Sequence, residues 1–295
     1  MVNIWQEIRQ SFRNGGILVK LIYVNLGVFL IYNLVKVFLF LGGSAFHTEL
    51  TRFLAVPAYL PNLAHRPWTV FTYMFFHEGF IHILFNLLWL YWLGRIFLNF
   101  MSERKLFGVY IMGGLSGAAF YILFYNIFPV FSGVLPVSYA LGASASVLAV
   151  VFAAATYAPN LRLNLMFIGP VALKYIALVM VLLDIVGMAG SNAGGHIAHL
   201  GGALFGYLFI YFQKLNVNLI KPVDWFMDFV FAGQSKMRRK KMRVEYRKTS
   251  DDYEYNRMKA EKQAEIDRIL DKISKAGYDS LSAEEKKTLF QMKDR

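Results

Sequence analysis

The stretch Ala140-Leu141-Gly142-Ala143-Ser144-Ala145-Ser146-Val147-Leu148-Ala149 decides how the rest of the chain is read. It is apolar and made of small residues, and it carries a hydroxyl in the middle of what reads as a membrane-spanning helix. A Ser in such a helix ordinarily bonds back to its own backbone or across to a neighbouring helix. Two other stretches ask for more. Ala198-His199-Leu200-Gly201-Gly202 is a second small-residue helix bearing a His, and His82-Ile83-Leu84-Phe85-Asn86 places a His and an Asn one turn apart.

The composition supports the membrane reading. Hydrophobic residues make up 57% of the chain and charged residues only 17%, against about 25% charged in soluble domains. The apolar residues come in runs long enough to cross a bilayer, which takes about 20 residues each. The chain has no cysteine, which excludes disulfide frameworks and thiol or Cys-metal chemistry. The net charge of +12 is uneven: residues 236–248 hold eight basic residues against Glu245 alone. The first apolar run, 17–41, is too long for a signal-peptide core, and no small-x-small cleavage site follows it, so it reads as the first retained span.

Four segments follow from this pattern. Residues 1–16 set Trp5, Ile8 and Phe12 against Arg9 and Arg13, an amphipathic helix for the membrane surface. Residues 17–213 hold six spans, at about 17–41, 68 or 72 to 98, 106–128, 137–157, 172–187 and 193–212. The connection at 43–67 is long, and loops of that length usually fold onto something or function. Residues 214–250 form a basic interfacial linker, and 251–295 an α-hairpin. Its second helix opens at Ser282 with Glu285 three residues on, a capping box. Ile266, Ile269, Leu270 and Ile273 form the apolar face of its first helix. The expected fold class is all-α, a six-helix membrane bundle with a small cytoplasmic helical tail. Basic residues cluster before span one, between spans two and three, between four and five, and after six, so both termini are expected in the cytoplasm.

Orientation brings the polar residues together. Spans two, four and six all run inward from the outer side. Ser144 and His199 then lie at one depth, roughly 9 Å below the outer ends at 1.5 Å per residue. His82 and Asn86, at i and i+4, share a helix face in the outer half of span two. Intramembrane ionisable residues usually face the bundle interior or a water-filled cavity and mark function. Gly202 and Gly206 in span six, with Gly142 and the alanines around Ser144, let two backbones approach closely. A close crossing there brings a Ser Oγ within reach of an imidazole, the minimum for an activated nucleophile.

Gly142-x-Ser144, Ala198-His199-x-x-Gly202-x-x-x-Gly206 and His82-x-x-x-Asn86, on spans four, six and two, resemble the rhomboid family of intramembrane serine proteases. The resemblance covers about residues 60–212 and is to the bacterial type with a C-terminal cytoplasmic extension, expected in a bacterial cytoplasmic (inner) membrane. It implies that Ser144 is the nucleophile and His199 the general base. It also implies an oxyanion hole of His82, Asn86 and the Ser144 backbone N–H, with Gly142, Gly202 and Gly206 supporting the packing. The substrates it implies are transmembrane proteins, with no cofactor and no metal. His77 matches a position often polar in the family. Three positions depart from the family's pattern: Thr69 stands for Arg, Ala145 for Gly, and Leu148 for an aromatic residue. No carboxylate is evident to orient the His, so the expected machinery is a Ser-His dyad.

Rival readings stand beside these. Ser146 is the other possible nucleophile, about 200° around the helix, and His196 the other possible base, otherwise a pocket or packing His near the outer surface. His77, His82, His196 and His199 with Glu78 could suggest a metal, but no other carboxylate joins them. Lys174 sits at the wrong end of span five for a Ser-Lys pair, and Asp184 reads as a structural hydrogen-bond partner. The basic run at 236–248 is an anchor on anionic lipid, with no nucleic-acid partner expected. The oligomeric state is not legible. A non-catalytic relative that binds transmembrane helices is the alternative reading, and a small transporter or channel the third.

Overall fold

In the computed structural model of the protein, residues 3–44, 46–166, 168–238 and 250–290 are described. They fall into two units, 1–233 and 234–295. The basic run at 236–248 lies largely outside the described residues.

The first unit opens with helix α1 (Ile4–Asn14), capped by Asn3, whose Oδ1 accepts the Trp5 N–H at 3.1 Å. Helix α2 (Ile17–Leu41) follows. The long connection then folds as α3 (Phe46–Leu54), β1 (Val56–Pro57), α4 (Leu60–His65) and α5 (Thr69–Thr72), with a 3-10 turn at Tyr73–Phe75. Helices α6 (Phe80–Leu98) and α7 (Glu103–Ile127) come next, then β2 (Tyr139–Ala140) and α8 (Ser144–Tyr157). A hairpin of β3 (Arg162–Leu165) and β4 (Gly169–Ala172) leads to α9 (Leu173–Gly187), α10 (Ala193–Lys214) and α11 (Lys221–Arg238).

The molecule is a multi-pass membrane protein. Among the described helices, α2, α6, α7 and α10 are long and apolar enough to cross a bilayer. Where the fourth and fifth spans were expected, the helices are shorter: α8 has 14 residues and α9 has 15. The all-α expectation also needs amending by two small antiparallel pairs, β1 with β2 and β3 with β4.

The fourth span was expected to begin near residue 137, with Ser144 well inside it. The helix instead begins at Ser144. Val56 pairs with Ala140 and Pro57 with Tyr139, which holds the approach to α8 extended. Gly142 then turns the chain at φ +125, a conformation open to Gly because it has no Cβ. The depth inferred for Ser144 is therefore supplied by a non-helical segment. The second span is likewise broken: the chain leaves the 3-10 turn, passes through extended residues and restarts as α6 after Gly79.

Helix α8 sits at the centre of the unit and packs on α6, α7, α9 and α10. Close approach is enforced by size. A Cβ on Gly202 would collide with the Ala145 carbonyl, and one on Gly206 with the Ala149 carbonyl. From α7, a Cβ on Gly113 would strike the Ala149 methyl, and one on Gly117 would lie 2.5 Å from the Ala145 Cβ. A buried polar network ties the outer helices in. Asn25 Nδ2 donates to the Leu21 carbonyl at 2.8 Å and to Tyr110 Oη at 3.0 Å, and Tyr110 donates to the Met74 carbonyl at 2.9 Å. The exposed large side chains on α2 and α9, such as Phe38, Ile31, Leu183 and Val186, suit a surface that meets lipid, since the helical backbone behind them is internally bonded.

The second unit contains α12 (Ser250–Ala276) and α13 (Ala283–Phe290). Ile266, Ile269 and Leu281 are buried, but Leu270 is exposed. The expected apolar face is narrower than its sequence pattern, because the eight-residue α13 covers only one side of it. The capping box is formed: Ser282 Oγ accepts the Glu285 N–H at 3.2 Å, and Glu285 Oε2 accepts the Ser282 N–H at 2.7 Å.

Candidate active site

Two hydrogen bonds set the start of α8. The Gly142 N–H donates to the Tyr73 carbonyl at 3.0 Å, and the Ala143 N–H donates to His77 Nε2 at 3.2 Å. His77 is fully buried. Because its Nε2 accepts, its ring proton is on Nδ1. The polar position noted at His77 therefore clamps the loop that delivers Ser144. The first backbone bond into α8 runs from the Val147 N–H to the Ala143 carbonyl. The amides of Ser144, Ala145 and Ser146 have no carbonyl partner within the helix, as at any helix N-terminus. That end of the helix dipole favours negative charge beside Ser144.

His82 and Asn86 come from the first two turns of α6. A Cβ placed on Gly142 would lie 2.8 Å from His82 Cε1, 3.0 Å from its Nε2 and 3.7 Å from Ser144 Oγ. The imidazole edge and the hydroxyl thus flank one point beside the glycine turn. Asn86 is buried, and its Nδ2 donates to the His82 carbonyl at 3.0 Å, which leaves its second N–H for another acceptor. Ser144, His82, Asn86 and His199 line one cavity of about 800 Å³, together with Asp184 and Glu78.

His199 stands in the second turn of α10, one turn before Gly202. Its Nδ1 lies 2.8 Å from Asp184 Oδ1, and the same oxygen lies 2.8 Å from His196 Nδ1. A carboxylate thus stands beside His199, where none was expected. Asp184 is 15 residues away in sequence, near the end of α9, and His196 is in the first turn of α10. The short connection between the two helices folds them back on each other, and the residues meet. The signal was available: His196 and His199 are i, i+3 on one face of α10, and Asp184 is the only acid in α9.

The rivals separate by position. Ser146 is fully buried, and a Cβ on Gly114 of α7 would lie 2.5 Å from its Oγ, so its hydroxyl faces α7 and not the cavity. Lys174 Nζ donates to Asn160 Oδ1 at 3.0 Å. Thr69 is buried and donates to the Arg66 carbonyl at 2.6 Å. Leu148 lines the cavity. Gly117 is the counterpart that leaves room for the Ala145 methyl. Among the described residues, one group of His and acidic side chains has donor atoms close together, Asp184, His196 and His199. The two hydrogen bonds account for that closeness, and the set differs from the four histidines and Glu78 weighed on sequence grounds.

This constellation sits within the region matched by a family. The chain belongs to the rhomboid family, whose Rhomboid domain model matches residues 64–214, just over half of the chain. Residues 249–292 match a family of unknown function (DUF6576). A comparison with curated proteins returns no match.

Proposed function

We propose that the protein is an intramembrane serine endopeptidase that hydrolyses peptide bonds in or near transmembrane segments of other membrane proteins. The observation that carries this reading is that Ser144, at the free N-terminus of α8, and His199 line the same cavity. Ser144 Oγ attacks the scissile carbonyl carbon while its proton passes to His199 Nε2. The oxyanion that forms is held by the Ser144 N–H, the free amide hydrogen of Asn86 and the imidazole of His82. Each such donor contributes about 3–4 kcal/mol in soluble enzymes. Collapse of the tetrahedral species breaks the C–N bond, and the proton on His199 goes to the leaving amine. Water then attacks the acyl-Ser144 ester, giving its proton to His199, and the carboxylic acid and free Ser144 are released.

A helical substrate must unwind locally, because helical carbonyls are already bonded. The cavity, lined by polar groups as well as aliphatic ones, admits the water that hydrolysis needs. Gly142 sets the turn that presents Ser144, and Gly202 and Gly206 hold α10 against α8. The charge distribution along the chain favours cytoplasmic termini, an active site opening to the outer side and contact of the basic run with anionic lipid.

The test is cleavage of a panel of single-span substrates by purified protein in proteoliposomes. Wild type is expected to cleave at least one of them, and Ser144→Ala and His199→Ala, folded equally well, none. Absence of cleavage by wild type, together with capture of an intact transmembrane helix, would make the protein a non-catalytic binder instead.

A further inference from the structure

We propose that Asp184 is a positioning residue that fixes His199 with its proton on Nδ1 and its lone pair on Nε2 toward Ser144, and that His196 clamps Asp184 in that post. The inference rests on the reading of Ser144 and His199 given above, and it replaces the dyad by a Ser144–His199–Asp184 chain.

The argument starts from Asp184 itself. It is buried near the end of α9 and is the only acid in that helix, and no Lys or Arg pairs with it among the described residues; its ion pairs are with the two imidazoles. A carboxylate removed from water is expensive unless hydrogen-bonded. Here both donors come from histidine, and both reach Oδ1 at 2.8 Å. An ionised carboxylate only accepts hydrogen bonds, so each imidazole presents Nδ1–H to it, and a neutral imidazole so bonded carries its lone pair on Nε2. For His199 that is the tautomer a general base needs.

His196 explains why the carboxylate stays in place. A Cβ on Gly187, one turn after Asp184, would overlap the His196 ring, with Cε1 at 2.5 Å. The ring is thus seated on α9 over Gly187 while its Nδ1 holds Asp184. This matters because α9 has few other buried contacts in that half. Besides Asp184 and His199, the titratable groups that line the cavity are His82 of α6, Glu78, Tyr125 and Tyr139. Of these only Glu78 is acidic, so Asp184 is the carboxylate bonded to the imidazole. When His199 takes the Ser144 proton, the adjacent carboxylate stabilises the imidazolium without itself being protonated.

Three readouts test the proposal. The histidine ring nitrogens of the wild-type protein in detergent, observed by ¹⁵N NMR with assignment by His199→Gln, are expected to report Nδ1–H and unprotonated Nε2 at His199. An Nε2–H tautomer in wild type overturns the proposal without recourse to any Asp184 variant. Asp184→Asn is expected to lower kcat by about 10²–10⁴-fold with KM little changed, since the loss is confined to the transition state. Asp184→Glu is expected to restore part of kcat, and His196→Gln to give a smaller fall in kcat than Asp184→Asn. If Ser144→Ala abolishes cleavage while Asp184→Asn keeps the wild-type kcat and tautomer, the positioning role fails and the protease reading stands. If wild type cleaves nothing and a serine-directed fluorophosphonate does not label Ser144, both fail.

Discussion

Helices α8 and α9 are neighbours and are of similar length, yet they are held in opposite ways. Ten of the 14 residues of α8 are buried, but only Leu173, Ile176, Ala177 and Asp184 of the 15 in α9. The position of α8 is over-determined, with glycines of both α7 and α10 closely packed on the backbone and methyl groups of Ala145 and Ala149. The far half of α9 has Asp184 as its only buried residue. The lesson is a division of labour. The proposed nucleophile sits on the densely packed helix, and the carboxylate beside the proposed base sits in the half of α9 where it is the sole buried residue.

The contrast breaks first at the α8–α10 contact. Gly202→Val puts a side chain into the Ala145 carbonyl, which cannot yield without shifting a helix. Overpacking costs about 1–3 kcal/mol where side chains can adjust. Here a loss at or beyond the upper end, with no cleavage activity, is expected from thermal melting in detergent and the substrate assay. A next-smaller effect is expected at Gly142→Ala, where φ +125 strains any residue with a Cβ and His82 must also give way. Strain of this kind costs about 1–3 kcal/mol, and its signature is reduced kcat, since it displaces both Ser144 and His82.

The same comparison is sharpened by two truncations. Val150 of α8 is fully buried and Leu182 of α9 is half exposed. Val150→Ala should lower stability by about 2 kcal/mol by leaving a cavity, whereas Leu182→Ala, like other exposed substitutions, should stay within about 0.5 kcal/mol. Equal losses at the two sites would show that lipid-facing α9 is anchored along its length.

The smallest effect belongs to the tail. Lys272 Nζ at 2.9 Å and the Ser282 backbone amide hold the Glu285 carboxylate below its usual range, at about 2. Because this pKa is depressed on folding, the stabilisation is present above the ordinary Glu value of 4.5 and is lost as pH falls through about 2. Hydrogen exchange of the α13 amides in the full-length protein should be faster in Glu285→Gln than in wild type at pH 7. That difference should shrink as labelling is moved toward pH 2.

Much of this was legible in the chain. Hydropathy located α2 and α10 almost to the residue, and Ser282 with Glu285 announced the capping box. The polar residues on three spans pointed to one layer before any coordinates. What periodicity could not reveal was where helix gives way to turn within an apolar run. Residues 137–143 are largely apolar, and their non-helical path is set by distant partners, Val56 and Pro57, whereas at 76–79 the residues His77, Glu78 and Gly79 mark the break locally. Asp184 was missed as a partner for His199 for a similar reason. The i, i+3 pair His196 and His199 and the single acid of α9 were visible in the sequence, but how tightly α9 folds back on α10 was not.

The central claim, that Ser144 is a nucleophile activated by His199, is tested most directly by labelling intact protein with a fluorophosphonate and locating the adduct by mass spectrometry. The account predicts one adduct, on Ser144, absent in Ser144→Ala and strongly reduced in His199→Ala. An adduct on Ser146, or labelling of Ser144 that is unchanged in His199→Ala, would contradict it.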